Sequence, residues 1–174
     1  MYYNNANFAK GDHMLNILKP NQVEDSIYDI NLEALWSLGY HHMIIDVDNT
    51  ITAWNQHQVN PTIKEWVSKA KATGFNICLL SNNSQLKVQK FASELGIIAA
   101  PKGGKPLAKA FQSALTALQG TANNTLVVGD QIFTDILGGN RTGLYTILVE
   151  PIDRNEFIGT RFTRIIERII TGRK

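Results

Sequence analysis

The residues best suited to chemistry are two aspartates, Asp46 and Asp48, which interrupt the end of the hydrophobic segment at residues 42–48. Residues two apart on a strand project to the same side, so we expect both carboxylates to face one site. Like charges so placed are costly when buried unless a cation or hydrogen bonds neutralise them. A turn that merely exposes two acids is the alternative. Their place at the carboxyl end of an apolar strand, where open α/β sheets bind ligands, favours a site.

Two further groups of polar residues follow the same pattern. Ser81 and Asn82 come after the apolar run 75–80 and before a helical segment, so hydroxyl, amide and backbone N–H groups would surround an oxyanion there. Helix capping is the plainer explanation of this pair. Lys105 precedes Pro106 at the start of another helical segment, where the macrodipole disfavours a cation unless an anion lies nearby. A solvated lysine of a glycine-rich loop is the alternative.

A second pair of acids, Asp130 and Asp135, follows the apolar run 126–128 and brings more carboxylates to the ends of the strands. Hard cations such as Mg²⁺ prefer carboxylate and carbonyl oxygens and commonly accompany phosphate groups. Together the four strand ends offer three or four carboxylates, a hydroxyl and a lysine to one site.

The elements that must position these residues follow an α/β pattern. From Met43 onward, short apolar runs alternate with segments of helical period, which predicts a three-layer, Rossmann-like parallel sheet with helices on both faces. The predicted strands are residues 43–47, 75–80, 97–100, 125–128 and 145–149. The predicted helices are residues 61–72, 84–95, 106–118 and a short one near 132–137. Gly74 and Gly96 stand where helices should end.

The N-terminal part adds less to the fold. Residues 1–13 show no periodicity and are interpreted as a flexible tail or expression remnant, and residues 14–174 are predicted to form a single domain. Within this domain, residues 23–28 and 32–38 are predicted to be two small packing helices. His41 and His42 are interpreted as structural, because neighbours on a strand face opposite sides.

Composition limits the classes of function. Hydrophobic residues make up 44% of the chain and charged residues 18%, which excludes wholesale disorder. A net charge of +2 gives no reason to expect a nucleic-acid partner. The single cysteine, Cys78, lies in an apolar run, where a buried thiol and a reducing compartment are expected. No apolar run is long enough to span a bilayer and the first residues are unlike a signal peptide, so a soluble, cytoplasmic protein is expected.

In this order, the four groups resemble the motifs of the haloacid dehalogenase (HAD) superfamily. The aspartate pair matches DxDxT at residues 46–50, and Ser81, Lys105 and Gly129-Asp130 with Asp135 match the others. The string GDQxxTDxxxxN at residues 129–140 is similar to the YqeG-type group of subclass IIIA, which is related to phosphatidylglycerophosphate phosphatases. The Leu-Lys-Pro start at residues 18–20 and the terminal residues 163–168 are also similar to this YqeG-type group.

The resemblance implies a phosphatase with Mg²⁺ as cofactor and a phosphorylated substrate. Asp46 would attack phosphorus to form an aspartyl-phosphate, and Asp48 would act as general acid and then base. The metal ligands implied are Asp46, the backbone carbonyl of Asp48, and Asp130, with Asp135 acting through water or by orienting Asp130. The phosphoryl ligands implied are Ser81, Asn82 and Lys105, while Thr50 would orient the nucleophile loop. An aspartate at position 48 also argues against the dehalogenase branch.

Motif spacing bears on the substrate. About 30 residues separate the first motif from Ser81 and about 20 separate Ser81 from Lys105, which leaves no room for a cap domain. An open site is therefore expected, suited to a large substrate such as phosphatidylglycerophosphate or to cover by oligomerisation, with the oligomeric state left open. Residues 52–60 would form a short flap, in which Trp54 or His57 contacts substrate or serves only the loop. The alternatives are a soluble phosphorylated metabolite as substrate, or a non-catalytic binding factor, which would not require Asp48 or Lys105.

The C-terminal residues suggest one more contact. Apolar residues recur at helical spacing, with arginines elsewhere on the same helix: Phe162, Ile165, Ile166, Ile169 and Ile170, with Arg161, Arg164 and Arg168. Such a helix either packs against its own sheet or lies on an anionic membrane surface, which would be a peripheral contact with a membrane or a lipid headgroup.

Overall fold

The structure is a computed structural model that describes residues 16–54, 56, 58–101 and 104–153. The predicted tail at residues 1–13, the side chain of His57 and the predicted C-terminal helix lie outside the described residues.

A six-stranded parallel sheet forms the centre of the protein, with the strand order β1-β6-β5-β2-β3-β4. The strands are β1 (Gln22–Glu24), β2 (His42–Ile45), β3 (Asn76–Leu79), β4 (Ile98–Ala99), β5 (Thr125–Gly129) and β6 (Tyr145–Val149). From β2 the chain continues to β3 and β4 on one side, whereas β5 and β6 lie on the other. The strand order thus reverses between β2 and β5, and open α/β sheets bind ligands at the carboxyl ends of the strands at such a point.

Helices cover both faces of the sheet, as predicted. They are α1 (Leu32–Ser37), α2 (Pro61–Thr73), α3 (Gln85–Leu95), α4 (Ala108–Leu118) and α5 (Leu137–Thr142). Met43 and Ile45 of β2 join the core cluster that contains residues of α1, α2 and α3. Ile44 points to the opposite face and packs in a cluster with α4. The three-layer α/β architecture predicted from the sequence is therefore confirmed.

Short helical turns complete the chain. Two 3₁₀ turns, Ile27–Asp29 and Ala122–Asn124, and one π-helical turn, Ile132–Ile136, join the longer elements. The π-helical turn begins at the position predicted for the short helix and leads directly into α5. Glycines end two helices as predicted: α2 stops at Gly74 and α3 at Gly96, both in the left-handed conformation.

Several predicted elements differ from the structure. Residues 23–28 do not form a helix, because Gln22–Glu24 pairs with β6 as a parallel edge strand and only a 3₁₀ turn follows. The strand predicted at residues 43–47 ends at Ile45, so Asp46 and Asp48 lie in the loop after it. Helix α4 begins at Ala108, two residues later than predicted, so Lys105 belongs to the loop that precedes the helix.

Both predicted crossovers are short. Within the described ranges, the elements between neighbouring strands are limited to helix α2 between β2 and β3 and helix α3 between β3 and β4, each with the loops that join it to the strands. Among the described residues there is accordingly no cap domain over the carboxyl edge of the sheet. No helix in this part of the chain has the length and apolar character needed to cross a bilayer.

Candidate active site

Asp46 occupies the first position after β2, at the reversal point of the sheet. Its backbone N–H continues the ladder by donating to the carbonyl of Val128 on β5, at 2.9 Å. Its side chain is 7% exposed, with the Lys105 ammonium donating to Oδ1. The Thr50 hydroxyl lies 3.5 Å from Asp46 Oδ2 and 3.5 Å from Asp130 Oδ1, so it links the loops after β2 and β5.

Three buried carboxylates meet at this point, those of Asp46, Asp130 and Asp135. One oxygen from each lies within 4.8 Å of the others, close enough to share a single cation. Asp135 approaches so closely that a Cβ on Gly129 would lie 2.3 Å from its Cγ. Glycine at position 129 therefore makes room for the third carboxylate.

Burial and mutual repulsion determine the charges of this cluster. Burial, opposed by the Lys105 ammonium, raises the pKa of Asp46 to about 7, and the nearby Asp135 and Asp48 carboxylates add to the rise. The pKa of Asp130 is raised well above its ordinary value by burial and by the charges of Asp46 and Asp135. Burial acts to lower the pKa of Lys105, but the Asp135 and Asp46 carboxylates outweigh it and raise the pKa above its ordinary value.

These residues fit a hard divalent cation. Lys105 Nζ lies 2.6 Å from Asp135 Oδ1 and also contacts Asp46, so one ammonium pairs with two of the three carboxylates in the cluster. Ionisation of all three would leave excess negative charge in a buried site, which an oxygen-bound cation would offset. Asp46, Asp130 and Asp135 are the residues that would hold it.

Asp48 has separate partners, although it is only two residues from Asp46. Its Oδ2 accepts a hydrogen bond from the Ser81 hydroxyl at 3.0 Å. Its Oδ1 accepts from the Lys87 ammonium at 2.7 Å and from the Asn83 amide at 3.2 Å. The Asp48 carboxylate is therefore paired with the loop after β3 and with α3, and it is not among the three carboxylates of the acidic cluster.

Asn82 contacts the backbone of Lys105. Its Oδ1 accepts from the Lys105 N–H at 2.7 Å, and its Nδ2 donates to the Lys105 carbonyl at 3.1 Å. Both ends of the amide are thus used to fix the loop that carries the lysine. The structure brings Ser81 to Asp48, and it places Asn82 as a support for Lys105.

Lys87 and Asn83 are two contacts of the site that the sequence interpretation missed. Lys87 occupies the first turn of α3, where the helix macrodipole disfavours a cation. The same reasoning that identified Lys105 applies to it, so the signal was present in the sequence. Asn83 gave no separate signal, because it reads as part of a polar loop.

The histidines, the cysteine and Asn140 discussed in the sequence analysis lie outside the acidic cluster. His41 and His42 stand at the amino end of β2, away from the aspartates, and His41 packs on Trp36 with ring centroids 4.3 Å apart. Cys78 is buried and free, as predicted. Asn140, at the end of the GDQxxTDxxxxN string, donates to the carbonyls of Ile17 and Lys19 at 2.8 and 3.0 Å. It therefore attaches the N-terminal segment to the domain.

Comparison with known proteins identifies the family of the chain. A family model described as haloacid dehalogenase-like hydrolase matches residues 11–143. The chain is 36% identical over 87% of its length to the probable phosphatase YqeG of Bacillus subtilis, and the match covers 88% of that protein. It is 31% identical over 80% of its length to the phosphatidylglycerophosphate phosphatase 1 of Arabidopsis thaliana, of which it spans only 42%.

Solved structures share the fold at lower identity. The cobalt-bound deoxy-D-mannose-octulosonate 8-phosphate phosphatase of Haemophilus influenzae matches with a TM-score of 0.53 and 14% identity, over 81% of this chain and 90% of that one. An uncharacterised protein from Listeria monocytogenes matches with a TM-score of 0.52 and 22% identity, over 70% of this chain and 88% of that one. The chain belongs to the haloacid dehalogenase-like hydrolase family, and its similarity to these two named phosphatases places it among the phosphatases of that family.

Proposed function

We propose that this protein is a Mg²⁺-dependent phosphomonoester hydrolase that works through an aspartyl-phosphate on Asp46, with phosphatidylglycerophosphate as its substrate. One observation carries the proposal: Asp46 lies in a buried cluster with two other carboxylates and the Lys105 ammonium, while Asp48 is held apart with its own partners. A nucleophile beside a cation site and a separate acid are the two groups that stepwise phosphoryl transfer requires.

The two aspartates divide the reaction between them. In the first step an Asp46 oxygen forms a bond to phosphorus as the ester P–O bond breaks, and a proton from Asp48 passes to the leaving alcohol oxygen. In the second step water gives a proton to Asp48 and attacks phosphorus, which breaks the bond to Asp46 and releases phosphate. The same carboxyl group is acid and then base, so its protonation state is restored in each turnover.

The remaining residues bind and neutralise the phosphoryl group. Lys105 stands between Asp46 and Asp135 and is placed to contact a phosphoryl oxygen, while Ser81 offers a hydroxyl from the loop after β3. Mg²⁺, when bound by Asp46, Asp130 and Asp135, would offset the negative charge of the phosphoryl group. In such a site, positioning and electrostatics supply most of the catalysis.

The surroundings of the site support a lipid substrate. Trp54, Leu107 and Ile152 are at least half exposed, and each lies close to the site along the chain or by hydrogen bonding. Trp54 follows the nucleophile loop, Leu107 is two residues beyond Lys105, and Ile152 donates its N–H to the Asn49 carbonyl at 2.9 Å. Exposed apolar residues on the loops that carry an open phosphate site suit a phosphorylated headgroup at a membrane surface. We therefore place the protein at such a surface as a peripheral enzyme.

A substrate comparison tests the proposal. Phosphate release with Mg²⁺ is measured from p-nitrophenyl phosphate, from phosphatidylglycerophosphate in mixed micelles, and from soluble sugar phosphates and nucleotides. We expect turnover that requires the metal, is lost in Asp46→Asn, and has its highest kcat/KM on the lipid. Faster hydrolysis of a soluble ester would transfer the assignment to a soluble metabolite. No turnover with any divalent metal would contradict the enzymatic function and favour a binding factor.

A further inference from the structure

Lys87 connects Asp48, the proposed acid and base, to Trp54, which follows Asp46 and Asp48 in the chain. Its ammonium lies 2.7 Å from Asp48 Oδ1 and 3.1 Å from the carbonyl oxygen of Trp54. The Phe91 ring, one turn later on α3, lies with its centroid 5.6 Å from the same ammonium. The Lys87 side chain is 9% exposed and that of Asp48 8%, so this is a desolvated ion pair.

The position of Lys87 on its helix is unfavourable by itself. It is the third residue of α3, in the turn where the partial positive charge of the helix is concentrated. The carboxylate of Asp48 supplies the anion that such a position needs. The loop before the helix also faces Asp48, through Ser81 on Oδ2 and Asn83 on Oδ1. The start of α3 and its preceding loop thus converge on one carboxyl group.

We propose that Lys87 is a positioning residue that keeps Oδ1 of Asp48 fixed while Oδ2 exchanges its hydrogen bond with Ser81 for the leaving-group oxygen. This inference rests on the proposed roles of Asp46 and Asp48. When a phosphoryl group draws the Ser81 hydroxyl to itself, Oδ2 loses the donor that held it. Lys87 and Asn83 still hold Oδ1, so the carboxyl group keeps its orientation. Oδ2 is then free to take up a proton from water and to pass that proton to the alcohol oxygen as the ester P–O bond breaks.

The hydrogen bond from Lys87 to the Trp54 carbonyl also restricts the loop that carries Asp48. Because the ammonium also binds the Trp54 carbonyl, the segment after the nucleophile loop is fixed relative to Asp48. Lys87 acts on the reaction through Asp48 and contacts no reacting atom. Its loss should therefore weaken proton transfer to the leaving group more than the binding of phosphate.

The test compares esters that differ in their need for an acid. Lys87→Met keeps the length of the side chain and removes its charge, and Lys87→Arg keeps the charge. Lys90→Met is the matched control, because Lys90 lies on the same helix and pairs with Glu94 at the surface. For each variant, kcat/KM is measured on p-nitrophenyl phosphate, whose leaving group needs little protonation. It is also measured on an alkyl ester, either phosphatidylglycerophosphate or glycerol 3-phosphate, whichever the wild type hydrolyses faster. The inhibition constant of inorganic phosphate reports binding.

We expect Lys87→Met to lose at least about tenfold in kcat/KM on the alkyl ester and less than about threefold on p-nitrophenyl phosphate, since general acid catalysis contributes roughly 10²- to 10⁴-fold. The phosphate inhibition constant should stay within about threefold, and Lys87→Arg should recover most of the loss. Equal losses on both esters, or a loss confined to phosphate binding, would overturn the inference and leave the proposed function intact. A wild type inactive on every ester would overturn both.

Discussion

The charge of Asp46 should destabilise the metal-free protein at neutral pH. Burial raises its pKa from 3.8 to about 7, so the folded state holds the proton more tightly than the unfolded state. The protonated Asp46 therefore stabilises the folded state in full below pH 3.8. This stabilisation is lost as the pH rises through about 7. A shift of about three pKa units corresponds to about 4 kcal/mol, at 1.36 kcal/mol per unit.

Replacement of Asp46 by asparagine removes this dependence, because the amide is neutral at every pH and its oxygen still accepts a hydrogen bond from Lys105. In EDTA at pH 8, Asp46→Asn should be more stable than the wild type by up to about 4 kcal/mol. At pH 5 the wild-type carboxyl group stays protonated when folded, so the advantage should fall to less than about 2 kcal/mol. Phosphatase turnover should be lost in the variant at both pH values.

Urea unfolding followed by circular dichroism, with EDTA present, measures these differences. Glu65→Gln is the control, because Glu65 is an exposed acid on α2 and its replacement should leave the pH dependence unchanged. Added Mg²⁺ should stabilise the wild type more than Asp46→Asn, since a ligand stabilises the state that binds it. An equal difference between wild type and variant at pH 5 and pH 8 would refute this account of the site.

Three other substitutions test the supports of the site. Lys105→Met leaves buried carboxylates without their ammonium, and urea unfolding in EDTA should show a loss of about 3–5 kcal/mol that Mg²⁺ partly restores. Gly129→Ala places a Cβ 2.3 Å from Asp135 Cγ and should weaken Mg²⁺ binding by about 10- to 100-fold in calorimetry, whereas unchanged affinity would contradict the cluster. Asn140→Ala should lower stability by about 1–3 kcal/mol through the loss of bonds to two backbone carbonyls, with kcat/KM within about twofold. A large loss of kcat/KM would show that Asn140 also acts in the site.

Local patterns in the sequence predicted most of the fold. Short apolar runs predict the strands β2, β3, β5 and β6, and the helical period of longer segments predicts the amphipathic helices α2, α3 and α4. The edge strand β1 was wrongly predicted as a helix. It has three residues, too few to show a period, and its pairing with β6 joins residues more than 120 positions apart.

The sequence also indicated which residues meet at the carboxyl edge, but not how they pair. Parallel strands bring Asp46, Ser81, Lys105 and Asp130 to one edge whatever the details of the loops. The strand period did not decide where the two aspartates point, because β2 ends at Ile45 and the loop bends after it. Their distinct partners follow from the loop geometry.

The sequence by itself therefore determined the architecture, the family and the set of polar residues at the strand ends, because these depend on local periodicity and on the order of the motifs. Only the tertiary structure decided that Lys105 pairs with Asp46 and Asp135, that Asn82 supports the Lys105 backbone, and that Lys87 holds Asp48. Each of these contacts joins residues 20 or more positions apart, and angstrom-scale loop geometry selects the partner. Periodicity carries no information at that scale.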